Sequence, residues 1–334
     1  MVIKKNKVIC IGEALIDRIK NKDDDNFTDF LGGAPANVAC ALRKLKIDSV
    51  FIGRLGDDAF GKEFVNQFKE LSVNINFLQF DKELPTRIVK VNRDISGDRY
   101  FSGFDGIINK GFSDQAIDKN LLEKDVKKLE ELFQKTKYFV SGTILLTSLK
   151  SAEAVNFLFS KAQEFDVNII IDLNWREVFW DDSRFSKYMS NKERINLVKD
   201  FLEYANTLKL AKEEAILFFE SKDPLEISET ILNRPDVIIT DGSNPIEWFI
   251  SGVKGTTEVC NELTIVDTTG AGDAFLAGLI SQLITLDSPL KEFQIQNCVK
   301  YASLCGLLTC LAEGAIKPQP DYLKVDEFIG SRIV

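Results

Sequence analysis

The chain has 334 residues, 45% of them hydrophobic and 28% charged, a balance that suits a globular protein able to bury its core without disulfides or a structural metal. Asp and Glu outnumber Lys and Arg by 51 to 42, giving a formal charge of -9, and no run of cations offers the basic face that a nucleic acid needs. Histidine is absent, which removes every mechanism built on an imidazole and leaves proton transfer to carboxylates, Lys, Tyr or Cys.

Residues 7–12 read as a buried first strand ending in Gly12. Asp23-Asp24-Asp25 reads as a solvated loop rather than a metal site. Apolar residues at helical spacing over 37–45 predict a helix opening after Gly32-Gly33-Ala34-Pro35, with Pro35 in a first turn where its missing N–H costs nothing. A strand at 49–53 and a helix at 60–71 follow. Over 86–104 the texture changes: Ile88, Val89 and Val91 precede a turn at Ser96-Gly97-Asp98, and Tyr100-Phe101 follow it, as in a β-hairpin. From 138 onward, strands at 138–140, 167–173, 207–210 and 237–240 alternate with helices at 151–165, 193–204 and 225–232. That alternation predicts an α/β fold with a mostly parallel sheet and helices on both faces. Two long apolar helices, 270–284 and 293–311, complete the pattern. No repeat or linker divides the chain, so a single domain over 1–334 with a small β excursion is expected.

The six cysteines form no CxxC pair and mostly sit among apolar neighbours, as in Val8-Ile9-Cys10-Ile11, so reduced buried thiols are expected. No stretch approaches the roughly 18 apolar residues of a membrane span, and nothing resembles a cleavable leader. A cytoplasmic protein with no membrane or nucleic-acid partner is the expectation.

The segment with the most chemistry is Asp267-Thr268-Thr269-Gly270-Ala271-Gly272-Asp273. Its small residues let backbone approach a ligand closely, and the apolar pattern after Asp273 makes it a helix start. The unpaired N–H groups and positive dipole end of such a start form an anion site. A carboxylate in that first turn could receive a hydroxyl proton beside a bound phosphate. An isolated Gly-x-Gly-Asp would more readily be read as a capped turn; the full seven-residue string, with the other segments, reverses that.

This string resembles the second signature of the ribokinase-like, or PfkB, carbohydrate kinases. Other segments match that family in order and spacing: Gly12-Glu13-Ala14-Leu15-Ile16-Asp17, Gly32-Gly33-Ala34-Pro35-Ala36-Asn37-Val38-Ala39, and Ile52-Gly53-Arg54-Leu55-Gly56-Asp57-Asp58-Ala59-Phe60-Gly61, which resembles its first signature. Asp172-Leu173-Asn174-Trp175-Arg176 and Glu313-Gly314-Ala315 match it as well. The first two strings lean towards its fructokinase branch. The resemblance implies a ribokinase-like fold whose β lid includes strands within about 13–20 and 86–108. It implies transfer of the ATP γ-phosphate to a sugar hydroxyl, with Mg²⁺ and, as in some relatives, K⁺.

The roles it implies run as follows. Asp273 is the base, and the N–H groups of Gly270, Ala271 and Gly272 form an anion hole. Asp17, Gly33 and Asn37 bind the acceptor, and Phe101 and Phe104 of the lid either close over it or pack within the lid. Arg176, Asn174, Thr240, Gly242 and Thr268, with Gly270 and Gly272, meet the phosphates and nucleotide. Glu214 acts on the metal through water. Two departures stand out: Ala211 occupies a position where many relatives carry Asn or Ser, and Pro245 replaces a glycine after Thr240-Asp241-Gly242. Fructose is the leading acceptor. Ketodeoxygluconate, ribose or a nucleoside is the alternative within the class, and Arg87, Arg93 and Arg99 keep a sugar acid open. A catalytically inert sugar- or nucleotide-sensing relative is the alternative outside it. A homodimer through the lid is an expectation from the family.

Overall fold

Val8 to Ile11 are wholly buried in β1 (Lys7–Ile11), an unbroken apolar run of the kind a strand needs when both faces are covered. The computed structural model describes residues 5–20, 26–93, 99–105, 111–181, 183, 185–260, 263–287 and 289–330. Asp23-Asp24-Asp25 and the turn at Ser96-Gly97-Asp98 lie outside them. After β1 the chain forms β2 (Leu15–Lys20), β3 (Phe27–Gly32), α1 (Ala34–Lys44), β4 (Asp48–Ile52), β5 (Arg54–Gly56), α2 (Ala59–Glu70) and β6 (Gln79–Asp81). The hairpin β7 (Ile88–Arg93) and β8 (Arg99–Asp105) follows, then α3 (Lys119–Lys124) and α4 (Val126–Phe133).

Alternation then takes over with β9 (Thr136–Gly142), α5 (Leu149–Glu164), β10 (Asn168–Asp172), α6 (Glu177–Asp181) and α7 (Asn191–Leu202). It continues through β11 (Thr207–Ala211), α8 (Lys212–Phe219), α9 (Pro224–Thr230) and β12 (Asp236–Asp241). β13 (Asn244–Ile250) and β14 (Val253–Thr257) pair antiparallel at one edge. The chain then runs through α10 (Ala271–Leu283), α11 (Glu292–Thr309) and α12 (Tyr322–Gly330).

The result is a mixed α/β fold whose large sheet has the order β14-β13-β12-β11-β10-β9-β1-β4, parallel from β12 to β4. The strand order reverses around β1, because the chain next enters the sheet on one side at β4 and later on the other at β9. Open α/β sheets bind ligands beyond the carboxyl ends of their strands at such a switch point. The segments after β1, β10, β11 and β12 all end there.

A second sheet, β3-β2-β7-β8, stands beside this edge. Its β7–β8 hairpin matches the predicted one, while β3 and the antiparallel edge β13–β14 were not foreseen. Strand alternation in β2 puts Leu15 and Asp17 on one face with Val89 of β7, and Arg18 on the other with Asp29 and Asp105. The segment that resembles the family's first signature is architectural. Asp58 caps α2 through Gly61 N–H and also accepts from the N–H and hydroxyl of Thr86, pinning the root of β7. Arg54 pairs with Asp81 at 2.7 Å.

Candidate active site

Helix α10 begins at Gly270, whose φ of +77° suits only glycine, and a β-carbon there would come within 2.9 Å of Ala315. Asp267 braces the approach: one oxygen accepts from the Thr269 N–H and hydroxyl, the other from the Gly314 N–H at 2.9 Å. This explains the Glu313-Gly314-Ala315 string as a support for the turn. The Ala271 N–H donates to the Thr268 carbonyl at 3.2 Å, a long bond inside the turn. Gly272 and Asp273 follow at positions whose N–H groups have no acceptor earlier in the helix.

Asp273 is half-buried at the cavity wall, and its Oδ2 accepts a 2.8 Å hydrogen bond from Asn37 Nδ2 across 236 residues of sequence. Asn37 sits one turn into α1 because Gly33, at φ +99°, starts that helix where a β-carbon would strike the Glu13 carbonyl at 2.6 Å. Its own carbonyl is held by Gln319 at 3.0 Å. The other side-chain atom, Asn37 Oδ1, is buried with no partner, and a buried amide oxygen left so costs on the order of 1–3 kcal/mol. Burial, with the Asp172 carboxylate acting in the same direction, pushes the Asp273 carboxyl up to about 6, against Asn37, Lys209 and Arg176. Glu13 is nearly enclosed, accepts from Ala34 N–H at 3.1 Å, and is pushed up to about 8 mainly by burial. It is therefore protonated near neutral pH and able to donate as well as accept.

On the opposite wall, Asn174 follows β10 with a left-handed φ of +44°, a conformation Asn tolerates better than most residues. That turn presents Arg176 to the cavity. Glu214 is buried with both oxygens in use, accepting from Trp175 N–H at 2.6 Å and Ala211 N–H at 2.8 Å. It thus ties the Asp172–Arg176 turn to the start of α8, and only spare lone pairs remain for a water. Asp241 turns to Lys212 at 2.7 Å, which engages its charge beside Thr240 and Gly242.

These groups surround two cavities. One, of about 420 Å³, is lined by Asp17, Gly33, Asn37, Arg176, Asp273 and neighbours, with Glu13 and Lys209 among them. The other, of about 640 Å³, has Thr240, Gly242, Val259, Phe275 and Leu307 in its walls. Thr268 and Gly272 line both, so the segment singled out in the sequence is their common boundary. Asp17 leans over Gly32, where a β-carbon would lie 2.3 Å from its Oδ2.

Of the two roles open to Phe104, the structure gives it the packing one. Phe104 does not line the cavity but is buried against Phe112 and Phe179, with ring centroids 5.5 and 5.1 Å away. Those rings enclose Arg87, which pairs with Asp114 at 2.9 Å and is almost fully buried, so Arg87 is not available to a sugar acid. Phe179, from α6, supplies the cavity's aromatic wall instead. The side chains of Phe101, Arg93 and Arg99 lie outside the described residues. Lys209 was missed by the sequence reading, although a lysine between Leu208 and Leu210 in a strand predicted to be buried is itself a signal.

Known proteins carry the same pattern. The model of the pfkB family carbohydrate kinases matches residues 5–322. A probable chloroplastic fructokinase-6 of Arabidopsis thaliana is 29% identical over 98% of this chain and 83% of its own length. A Xylella fastidiosa fructokinase solved with bound ATP superposes with a TM-score of 0.82 at 22% identity, covering 99% of this chain and 100% of its own. A fructokinase double mutant from Vibrio cholerae O395, solved with fructose, ADP and potassium ion, gives a TM-score of 0.81 at 24% identity, with 98% and 99% covered. The matched model spans nearly the whole sequence, and the chain belongs to the pfkB family of carbohydrate kinases.

Proposed function

We propose that the chain transfers the γ-phosphate of ATP to a hydroxyl of a neutral sugar, with fructose as the leading acceptor. The observation that carries this is the Asn37–Asp273 pair: a carboxamide and the half-buried carboxylate it bonds line one polar cavity whose boundary, at Thr268 and Gly272, is shared with a second cavity. A sugar hydroxyl seated there offers its proton to Asp273. Its oxygen forms the new bond to phosphorus as the bond from the γ-phosphorus to the bridging oxygen breaks, and ADP leaves. Because such transfer passes through a loose transition state, positioning and charge matter more than a strong base. Arg87, one of the cations that kept a sugar acid open, is buried against Asp114 away from this cavity, which leaves a neutral sugar as the leading acceptor.

Mg²⁺ would enter on the nucleotide phosphates, with Glu214 reaching it through water at most, since both its oxygens already accept backbone N–H groups. A K⁺ ion near Asp267 and Thr269 would be met by backbone carbonyls, since the Asp267 carboxylate is already engaged. The whole chain acts as one domain with the small sheet as its lid, and a lid-to-lid homodimer is checked by light scattering. No helix among the described residues is long and apolar enough to cross a membrane, and a cytoplasmic site of action fits the substrates.

The test is ADP release with fructose, ribose, ketodeoxygluconate and adenosine, each with ATP and Mg²⁺. Fructose turning over fastest supports the reading. Turnover with adenosine alone would sink it, and no turnover with any acceptor would favour the inert sensing relative.

A further inference from the structure

Lys209 is the third residue of β11, a central strand of the large sheet whose Leu208 and Leu210 are fully buried. Its ammonium meets both oxygens of Asp172, at 3.0 and 3.1 Å, and the two residues are register partners on adjacent parallel strands. A buried ion pair of this kind adds little net stability over well-packed apolar side chains, so core packing alone gives no reason for it. Its location does. Lys209 lines the acceptor-side cavity with Arg176 and Asp273, and a β-carbon built on Gly272 would come within 3.0 Å of Nζ. The absence of a side chain at Gly272 thus leaves the ammonium beside the helix start that separates the two cavities.

We propose that Lys209 is a catalytic cation of the phosphoryl-transfer centre, held by Asp172 beside Gly272 so that its ammonium contacts the phosphoryl group in transit. This rests on the kinase reading and deepens it. Charge on a transferring phosphoryl group spreads over three equatorial oxygens. The start of α10 and the Arg176 fork would meet it from the helix and the Asn174 turn, and Lys209 adds a point charge from the sheet beneath. Asp172 then anchors the cation, which places the first residue of the Asp172-Leu173-Asn174-Trp175-Arg176 string in the same service as the last.

The experiment compares wild type with Lys209→Gln, which keeps an N–H donor for Asp172 but removes the charge, and with Lys209→Met/Asp172→Asn, which removes both charges. Each protein is titrated calorimetrically with Mg·ADP alone and with Mg·ADP plus aluminium fluoride, a mimic of the flattened phosphoryl group, and its thermal midpoint is recorded. Both variants should fold and bind Mg·ADP as wild type does, yet lose about a hundredfold of the extra affinity that aluminium fluoride brings, and about as much kcat. A structural pair behaves differently: the double variant would recover tightening and turnover together, and that result overturns the proposal. If wild type turns over no acceptor but its fluoride-dependent tightening still depends on Lys209, the acceptor assignment fails while Lys209 keeps its role. Normal turnover in both variants removes Lys209 alone.

Discussion

The cavity around Asp273 draws its polar groups from separate stretches of chain: Glu13 and Asp17 near β1 and β2, Asn37 in α1, Arg176 after β10, and Lys209 in β11. The cavity around Thr240 is walled instead by small and apolar residues, among them Val259, Phe275, Gly306 and Leu307. On the proposed reading, the first would recognise an acceptor mainly through directed hydrogen bonds and fixed charges, each of which needs its own support. The second offers shape and apolar surface, which suit a flat base and tolerate substitution. Chemistry on one side of Gly272 should therefore be brittle, and binding on the other side forgiving.

The largest break is expected at Asp273. Asp273→Asn keeps the shape and leaves the nucleotide side intact, so kcat should fall by about 10²–10⁴-fold while ATP affinity, measured by calorimetry, stays near wild type. Near-normal turnover would show that Asp273 is not the base.

Asn37→Ala comes next. It removes a hydrogen bond to the Asp273 carboxylate, an interaction worth about 1.5–3 kcal/mol, or roughly ten- to a hundredfold in kcat/KM for the sugar. The KM for ATP should hardly move. An equal loss in both KM values would mean that Asn37 supports the fold rather than the acceptor.

The pH profile sharpens the same point. Asp273 must be ionised to take a proton, and its carboxyl stands at about 6, so kcat/KM should hold above that pH and fall as pH drops through it. The Asn37 N–H bond favours the charged form, and losing it raises the carboxyl further. The acid limb of Asn37→Ala should therefore lie at higher pH than that of wild type; a limb that stays in place would separate it from Asp273.

The contrast between the cavities also explains what could be read in advance. Asp273 and its glycines were legible because the cradle is one contiguous string with helix-start chemistry, and Asn37 because Pro35 marks where α1 begins. The parallel strands were legible as buried apolar runs. β3 was not, since Phe27–Gly32 is exposed over its first half and takes its place by pairing with β2. Glu214 carried no sign that two backbone N–H groups from different turns would claim its oxygens. Phe104 was open to either role because sequence cannot say which face of β8 meets the rings of Phe112 and Phe179. The nucleotide wall was hidden for another reason: α11 buries residues around most of its circumference, so nothing in its pattern marks the side that Gly306 and Leu307 turn to the cavity.

The smallest effect should come from that wall. Val259 is half-buried beside the nucleotide cavity, and Val259→Ala removes two methyl groups without touching a hydrogen bond or a charge. At roughly 0.8 kcal/mol per buried methylene-sized group, and with only part of that surface covered by a base, the KM for ATP should rise about threefold to fivefold. The KM for the sugar and the pH limb should stay where they are, because Val259 does not line the Asp273 cavity. The informative case is a large effect. If Val259→Ala cost as much as Asn37→Ala, or moved the sugar KM, then the boundary at Thr268 and Gly272 would not insulate the two cavities, and nucleotide seating would have to be part of how Asp273 meets its acceptor.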